Sequence, residues 1–329
     1  MYMAAAPYIL RYNSKDTSKK VIPYGNSMQT GSSLRSLLLT TALGLAGGAV
    51  GATWYVTNRV SPEPRRSFMD SYTFTPWELG IPFETVSFVA RDGLRLRGWW
   101  LVHEAPRGVV IGCHGHGGTK DDLLGIGSQL WRAGYSVLVF DFRGRGDSDP
   151  WPQTLVSREV DDLHAAVVFA AERAPALPIG VVGFSMGAAV ALLAAASEPR
   201  IAAVVADSAF TSGSDVVAHG IRATLRIPAA MLVIAADELV HRRHGYRFSH
   251  VRPLDAISQL APRPVMIIHG QDDSLVPVAH AYRLYEAASE PRTLWVVPGV
   301  EHCGGYFLDR PEYCHRVRSF FAQYLGSLS

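Results

Sequence analysis

The stretch PIGVVGFSMGAAVALLAAAS, residues 178–197, joins a short apolar run to a segment rich in small residues. The run is typical of a strand buried on both faces of a parallel sheet, and the alanine-rich segment predicts a helix. Between them, GFSMG at residues 183–187 fits the pattern G-x-S-x-G, which places a serine on a sharp strand-to-helix turn. Side chains flanking that turn would collide with the neighbouring strand and helix, which explains the glycines. Ser185 is therefore the predicted nucleophile, with an ordinary serine N-cap as the alternative.

The rest of the chain continues the alternation of strand and helix. Further apolar runs, each followed by a polar or glycine-rich loop, are 108–113, 135–140, 201–206, 264–268 and 293–297. Segments with helical spacing are 121–133, 157–173, 278–289 and 310–325. This alternation predicts an α/β fold with a mostly parallel central sheet covered by helices on both faces.

Two segments depart from the alternation. Residues 83–91 and 94–103 flank Asp92-Gly93, and this pattern predicts an antiparallel hairpin at the start of the sheet. Residues 211–252 contain two helical segments with no strand between them. We interpret this second stretch as a small helical cap.

A serine nucleophile needs a histidine base, and the base needs a carboxylate that fixes its tautomer. In the chain order serine, acid, histidine, the sequence offers HGQDDSLVP at residues 269–277 and PGVEH at residues 298–302. Asp272 and Asp273 both follow a predicted strand, and His302 follows the last one. The carboxyl ends of parallel strands share one sheet edge, so we expect Ser185, one of these acids and His302 to meet there.

The oxyanion of a tetrahedral intermediate needs two backbone donors. We assign them to the N–H of Met186, which follows the nucleophile, and to that of His116 in the loop HGHGG, residues 114–118. A metal site at His114 and His116 is the competing interpretation, but two ligands without a carboxylate partner make a poor site. The sequence therefore predicts neither a metal nor an organic cofactor.

The ordered segments HGHGG, DFRGRGDSD, GFSMG, HGQDDSLVP and PGVEH resemble the α/β-hydrolase superfamily from about Phe83 to Leu325. In that family the fifth position of H-G-x-x-D-x-x-V-P carries the acid, which selects Asp273 and leaves Asp207 as the alternative. The segments RPLDAI at residues 252–257 and APRPV at residues 261–265 are similar to the small-cap branch known as lysophospholipase-like or serine aminopeptidase-like hydrolases. The resemblance implies a serine hydrolase that cleaves carboxylic esters of small or lipid-like molecules through an acyl-enzyme intermediate. Thioesterase, acyltransferase and amidase or peptidase activity are the alternatives on the same residues, and a binding protein without turnover is a further one.

The N-terminal region precedes the predicted catalytic domain, residues 83–329. Residues 34–57 carry no charge after Arg35, and about 20 apolar residues suffice to cross a bilayer. The basic residues before this segment favour a cytoplasmic N-terminus, so we expect a transmembrane anchor with an extracytoplasmic catalytic domain. The alternative is a signal peptide that is cleaved near residues 50–52 to give a secreted protein. Residues 1–33 are predicted to be a disordered tail, and residues 58–82 a linker.

Composition adds few constraints. The net charge is +2, and the basic residues are scattered rather than clustered with aromatics, so no nucleic-acid partner is indicated. The three cysteines Cys113, Cys303 and Cys314 lack C-x-x-C spacing. Cys303 and Cys314 could pair in an oxidising compartment, but free buried thiols are the preferred interpretation.

Overall fold

The computed structural model describes residues 44, 47–61, 74–225 and 228–326. The chain divides into two units, residues 1–47 and residues 48–329. The predicted disordered tail, residues 1–33, lies outside the described residues, as do residues 62–73 of the predicted linker.

An eight-stranded sheet in the order β1-β2-β4-β3-β5-β6-β7-β8 forms the centre of the molecule. The strands are Phe83–Val89, Arg95–Leu101, Val109–Cys113, Ser136–Asp141, Ile179–Phe184, Ile201–Asp207, Val265–Gly270 and Arg292–Val297, labelled β1 to β8. Strand β2 is antiparallel to β1 and to β4, and strands β3 to β8 are parallel to one another. The predicted strands and the mostly parallel sheet are confirmed.

Helices cover both faces of this sheet. After helix α1, residues 47–60, the helices α2 to α10 are Leu124–Arg132, Glu159–Arg173, Met186–Ser197, Gly213–Leu225, Ala230–His244, Pro253–Ala256, Ala279–Ala287, Gly305–Leu308 and Arg310–Leu325. Helices α3 and α4 pack with one set of inward-facing strand residues, and α2 and α10 pack with the other. The chain therefore buries two apolar layers, one on each side of the sheet, which is why its central strands are apolar on both faces.

The hairpin that opens the sheet turns at residues 90–94. Ala90 donates a backbone hydrogen bond to Leu94 at 2.8 Å, and Gly93 donates one to Ala90 at 2.9 Å. Gly93 has a φ of 88°, a left-handed conformation that glycine adopts without steric cost. The predicted turn at Asp92-Gly93 is thus a three-residue connection closed by a glycine bulge.

Helix α1 extends to residue 60, three residues past the predicted end of the membrane segment at residue 57. Val56, Thr57 and Val60 are buried against the rest of the second unit instead of forming an exposed apolar surface. In the described ranges, no helix has both the length and the apolar character needed to cross a membrane. The predicted transmembrane helix therefore finds no support there, and residues 34–43, 45 and 46 lie outside the described residues.

Two buried ion pairs fix the loop that follows β4, in the segment DFRGRGDSD. Asp141 accepts hydrogen bonds from Lys120 Nζ at 2.7 Å and from the Asp147 backbone N–H at 3.0 Å, so this acid orders its own turn. Arg143 is fully buried and donates hydrogen bonds to Asp162 of α3 from Nε and Nη2. Its Nη1 donates to Asp92 of the hairpin. One guanidinium therefore joins β4, α3 and the β1–β2 turn.

Removing this guanidinium should destabilise the fold strongly. The substitution Arg143→Met leaves the buried carboxylate of Asp162 without its charged partner, and breaking a buried pair in this way costs about 3–5 kcal/mol. We expect a decrease of that size in the free energy of unfolding, measured by urea denaturation.

Arg242→Met is the matched control, because Arg242 forms an exposed pair with Glu238 four residues earlier on α6. Exposed pairs of this kind contribute about 0.3–0.5 kcal/mol. Equal losses of stability in the two variants would contradict the role assigned to Arg143.

Candidate active site

The predicted site residues converge at the carboxyl edge of the parallel strands. His116 lies in the loop after β3, Ser185 follows β5, Asp273 follows β7 and His302 follows β8. Ligands of open α/β sheets bind at this edge because loops from neighbouring strands meet there. The order of strands, not proximity in sequence, brings these four residues together.

The turn at Ser185 is strained, and two glycines make it possible. Ser185 has φ 54° and ψ −116°, a backbone conformation that residues other than glycine rarely adopt. A Cβ atom on Gly183 would lie 2.3 Å from the carbonyl oxygen of Gly187, and one on Gly187 would lie 2.2 Å from that of Cys113. The strand, the turn and the helix therefore pack too closely for any side chain at these two positions.

The serine hydroxyl lies within hydrogen-bonding distance of the predicted base. Ser185 Oγ is 2.8 Å from His302 Nε2, and His302 Nδ1 is 2.7 Å from Asp273 Oδ2. The Ser185 backbone N–H also donates to the carbonyl of Asp207 at 2.8 Å, which ties the turn to β6. The structure thus brings Ser185, His302 and Asp273 into one continuous hydrogen-bonded chain.

Asp273, and not the neighbouring Asp272, faces His302. Its Oδ1 accepts the backbone N–H groups of Leu275 at 3.0 Å and Val276 at 2.7 Å, and Asp272 is exposed to solvent. Burial opposes ionisation of Asp273, but hydrogen bonds from His269, His302 and the Val276 amide outweigh it and hold the pKa of this carboxyl well below its usual range. The stability gained from the charged form is complete above about pH 4 and is lost as the pH falls below that.

Asp207, the other candidate acid, has a different set of partners. Its carboxylate accepts hydrogen bonds from Tyr313 Oη at 2.7 Å and from Ser208 Oγ at 2.9 Å. Ser208 Oγ in turn accepts the backbone N–H of Cys303 at 3.1 Å. Asp207 therefore supports the loop that carries His302. This role was not predicted, and its one signal in the sequence is the polar pair Asp207-Ser208 at the end of β6.

The loop that contains His116 lies beside the serine. Gly115 is so close that a Cβ atom there would lie 3.6 Å from Ser185 Cβ. Neither the His116 nor the Met186 backbone N–H donates to another group in the described part of the chain.

The loop that contains His116 is held by buried side chains. His114 is fully buried, and its ring bonds the Gly115 carbonyl through Nδ1 at 2.8 Å and the Phe142 backbone N–H through Nε2 at 3.0 Å. The Gly117 backbone N–H donates to Gln153 Oε1 at 3.1 Å. Both nitrogens of His114 are engaged, so this histidine shapes the turn. Across the described ranges, no three His, Cys, Asp or Glu side chains are grouped as a metal site.

A cavity of about 880 Å³ opens beside Ser185 and His302. Its walls are mainly apolar, and they include Ile126 of α2, Val217 and Ile221 of α5, and Tyr306 and Phe307 of α9. The volume lies within the ~300–1,000 Å³ typical of small-molecule sites. The three cysteines are free thiols, and Cys303 lines this cavity.

Comparison with known proteins agrees with this architecture. A family model described as serine aminopeptidase S33 matches residues 104–304. The protein YqkD of Bacillus subtilis is 32% identical over 232 residues, which cover 69% of this chain and 75% of that protein. A monoacylglycerol lipase of Mycolicibacterium smegmatis is 28% identical over 250 residues, 66% of this chain and 89% of that enzyme.

Among solved structures, the Pyrococcus furiosus esterase Pf2001 superposes with a TM-score of 0.68 at 27% identity. The superposition covers 80% of this chain and 98% of that esterase. Sequence and structure therefore agree with the resemblance drawn from the five motifs. The chain belongs to the serine aminopeptidase S33 family of α/β hydrolases.

Proposed function

We propose that this protein is a serine esterase that cleaves carboxylic esters through an acyl-enzyme intermediate. The observation that carries the proposal is the hydrogen-bonded chain Ser185–His302–Asp273, with distances of 2.8 Å and 2.7 Å, at the edge of a largely apolar cavity. A serine, its base and an orienting carboxylate in this geometry are the parts that nucleophilic acyl transfer requires.

Each residue has a defined task in this mechanism. Ser185 Oγ attacks the carbonyl carbon of the ester while His302 Nε2 takes its proton, and Asp273 stabilises the imidazolium that results. The His116 and Met186 N–H groups hold the oxyanion, and collapse of the tetrahedral intermediate releases the alcohol with the proton from His302. Water then attacks the acyl-enzyme with the same histidine as base, which frees the carboxylic acid and restores Ser185.

The charges around the cavity favour an ester over a peptide with a free amino terminus. An aminopeptidase must compensate the positive charge of the amino group of its substrate, usually with a carboxylate. Asp122 is the one acidic residue that lines this cavity within the described ranges, and it already accepts the Thr119 backbone N–H at 3.1 Å. Arg59 and Arg145 line the same cavity, so its net charge opposes a cationic substrate.

The related proteins support the same choice of substrate. The Pyrococcus protein is named an esterase and the Mycolicibacterium relative a monoacylglycerol lipase. Both names denote hydrolysis of carboxylic esters. We therefore infer a neutral or anionic ester with an apolar acyl group as the substrate class.

A fluorophosphonate probe tests the nucleophile directly. Such probes react with an activated serine, so we expect labelling of the wild-type chain at Ser185 and none in Ser185→Ala. Loss of the nucleophile should also lower kcat on p-nitrophenyl butyrate by about 10⁶-fold, measured from p-nitrophenolate release.

Ser197→Ala is the matched control, because Ser197 is exposed at the end of α4, away from the site. It should label and turn over as the wild type does. An unlabelled wild-type chain, under conditions that label a known esterase, would favour a binding protein over an enzyme.

Replacing each of the two adjacent acids in turn by asparagine separates their roles. In Asp273→Asn the side chain no longer carries the charge that stabilises the imidazolium, so kcat should fall by about 10⁴-fold, as in other triads of this type. Asp272→Asn removes an exposed carboxylate that does not contact His302, and kcat should stay within about twofold. Steady-state kinetics on one ester decides between them: a severe loss in Asp272→Asn with little change in Asp273→Asn would reverse the assignment.

A further inference from the structure

The last turns of helix α1 lie at the active site, although they precede the family match at residues 104–304. Val56, Thr57, Val60 and Ser61 are all buried, with 0–7% of their surface exposed. Residues spaced i, i+1, i+4 and i+5 share one face of a helix. Val50, earlier on the helix, is 70% exposed. Among the described residues of α1, the side that packs on the protein therefore extends from Ala52 to the end of the helix, and Val50 lies outside it.

Apolar contacts attach this end to the helical pair α5 and α6. Val56 and Val60 belong to one apolar cluster with Val217 and Ile221 of α5. The same cluster includes Leu232, Ala236 and Val240 of α6. The segment thus packs as part of the folded protein, and burial of each valine contributes about 1.5–3 kcal/mol relative to exposure.

Polar contacts attach the end of α1 at three more points. Ser61 Oγ bonds the Tyr246 hydroxyl just after α6, and Asn58 Oδ1 accepts a hydrogen bond from Arg243 at 3.1 Å. His116 Nε2 donates to the Val60 carbonyl at 3.3 Å, so the end of α1 also touches the loop that carries a proposed oxyanion donor. Burial lowers the pKa of His116 more than this bond raises it, which keeps the ring neutral at pH 7.

The same residues border the cavity beside the nucleophile. Tyr55, Val56, Asn58, Arg59 and Val60 line the 880 Å³ space that also contacts Ser185 and His302. An acyl group attached to Ser185 and extending into this space would therefore meet the side chains of α1.

We propose that residues 55–60 of α1 form a wall of the acyl pocket and set the length of the acyl chain that the enzyme accepts. This inference rests on the proposed esterase function and deepens it. The substrate class is then an ester whose acyl chain is long enough to reach α1, and Val56 and Val60 are its specificity-determining residues.

The test compares acyl-chain preference in full-length chains purified in mild detergent. Wild type, Val60→Phe and Val60→Ala are assayed on p-nitrophenyl esters from acetate to palmitate, and the readout is the ratio of kcat/KM for each ester to that for acetate. In Val60→Phe the larger ring takes up part of the cavity, so the laurate ratio should fall at least about 10-fold, mainly through KM. In Val60→Ala the pocket lengthens, so the preferred chain should become longer.

Val50→Phe is the matched control, since it introduces the same ring on the exposed part of the same helix. Its chain-length ratios should stay within twofold of the wild type. The proposal is overturned if Val60→Phe keeps the wild-type ratio, or if Val50→Phe changes it equally. If Val60→Phe does not fold, Val60→Ala decides alone, and an unchanged preference in it also overturns the proposal.

A second measurement, the rate of labelling by short-chain and long-chain alkyl fluorophosphonates, distinguishes a failure of the esterase proposal from a failure of the proposed role of residues 55–60. In this reaction Ser185 Oγ bonds phosphorus, fluoride leaves and His302 takes the proton, so no ester turnover is required. One outcome is that the wild type hydrolyses no ester but reacts faster with long-chain than with short-chain probes, and that Val60→Phe removes that difference in rate. In that case the esterase proposal is wrong and the role of residues 55–60 in the pocket is supported. If esters are hydrolysed but neither the kcat/KM ratios nor the labelling rates depend on Val60, only the proposed role of residues 55–60 is wrong.

Discussion

The close contact between the backbones of β3, β5 and α4 is the constraint on which the site depends. Gly187 lies so near the carbonyl of Cys113 that α4 begins in direct contact with the end of β3. This contact forces Ser185 into its positive φ and projects the hydroxyl out of the sheet edge. It also holds the turn at Ser185 against the loop after β3, which contains His116. The strain is local, and the apolar layers on both faces of the sheet compensate for it.

Two buried carboxyls near the serine show how the surroundings divide acid roles. The Asp273 carboxylate accepts hydrogen bonds from two backbone amides and lies against two histidine rings, and these contacts keep it charged beside His302. Burial raises the pKa of Asp207 more than the Tyr313 and Ser208 hydroxyls lower it. The two carboxyls therefore differ in their partners, which are backbone amides and imidazoles for Asp273 and hydroxyls for Asp207.

Local pattern was sufficient to predict most of the sheet, because strands such as Val109–Cys113 are buried on both faces and must be continuously apolar. The turn at Ser185 was equally predictable, since its steric demands fall on residues within two positions. The choice of Asp273 over Asp272 needed the family resemblance, because both are aspartates that directly follow the same predicted strand. The contacts of Asp207 with Tyr313, and of Ser61 with Tyr246, join residues 106 and 185 positions apart. No periodicity encodes such pairs.

Helix α1 illustrates why an apolar segment cannot be interpreted by hydropathy alone. A run of apolar residues that would suit a bilayer also suits a protein groove, and the difference lies in which face is covered. In α1 the polar Thr57 is fully buried and Trp54 is 59% exposed, the reverse of what hydropathy alone predicts. The sheet edge fixes where the chemistry occurs, since its residues come from strands that every part of the core holds in place. The walls of the cavity come instead largely from α1, α5 and α9, which lie outside the sheet and can change without disturbing the nucleophile.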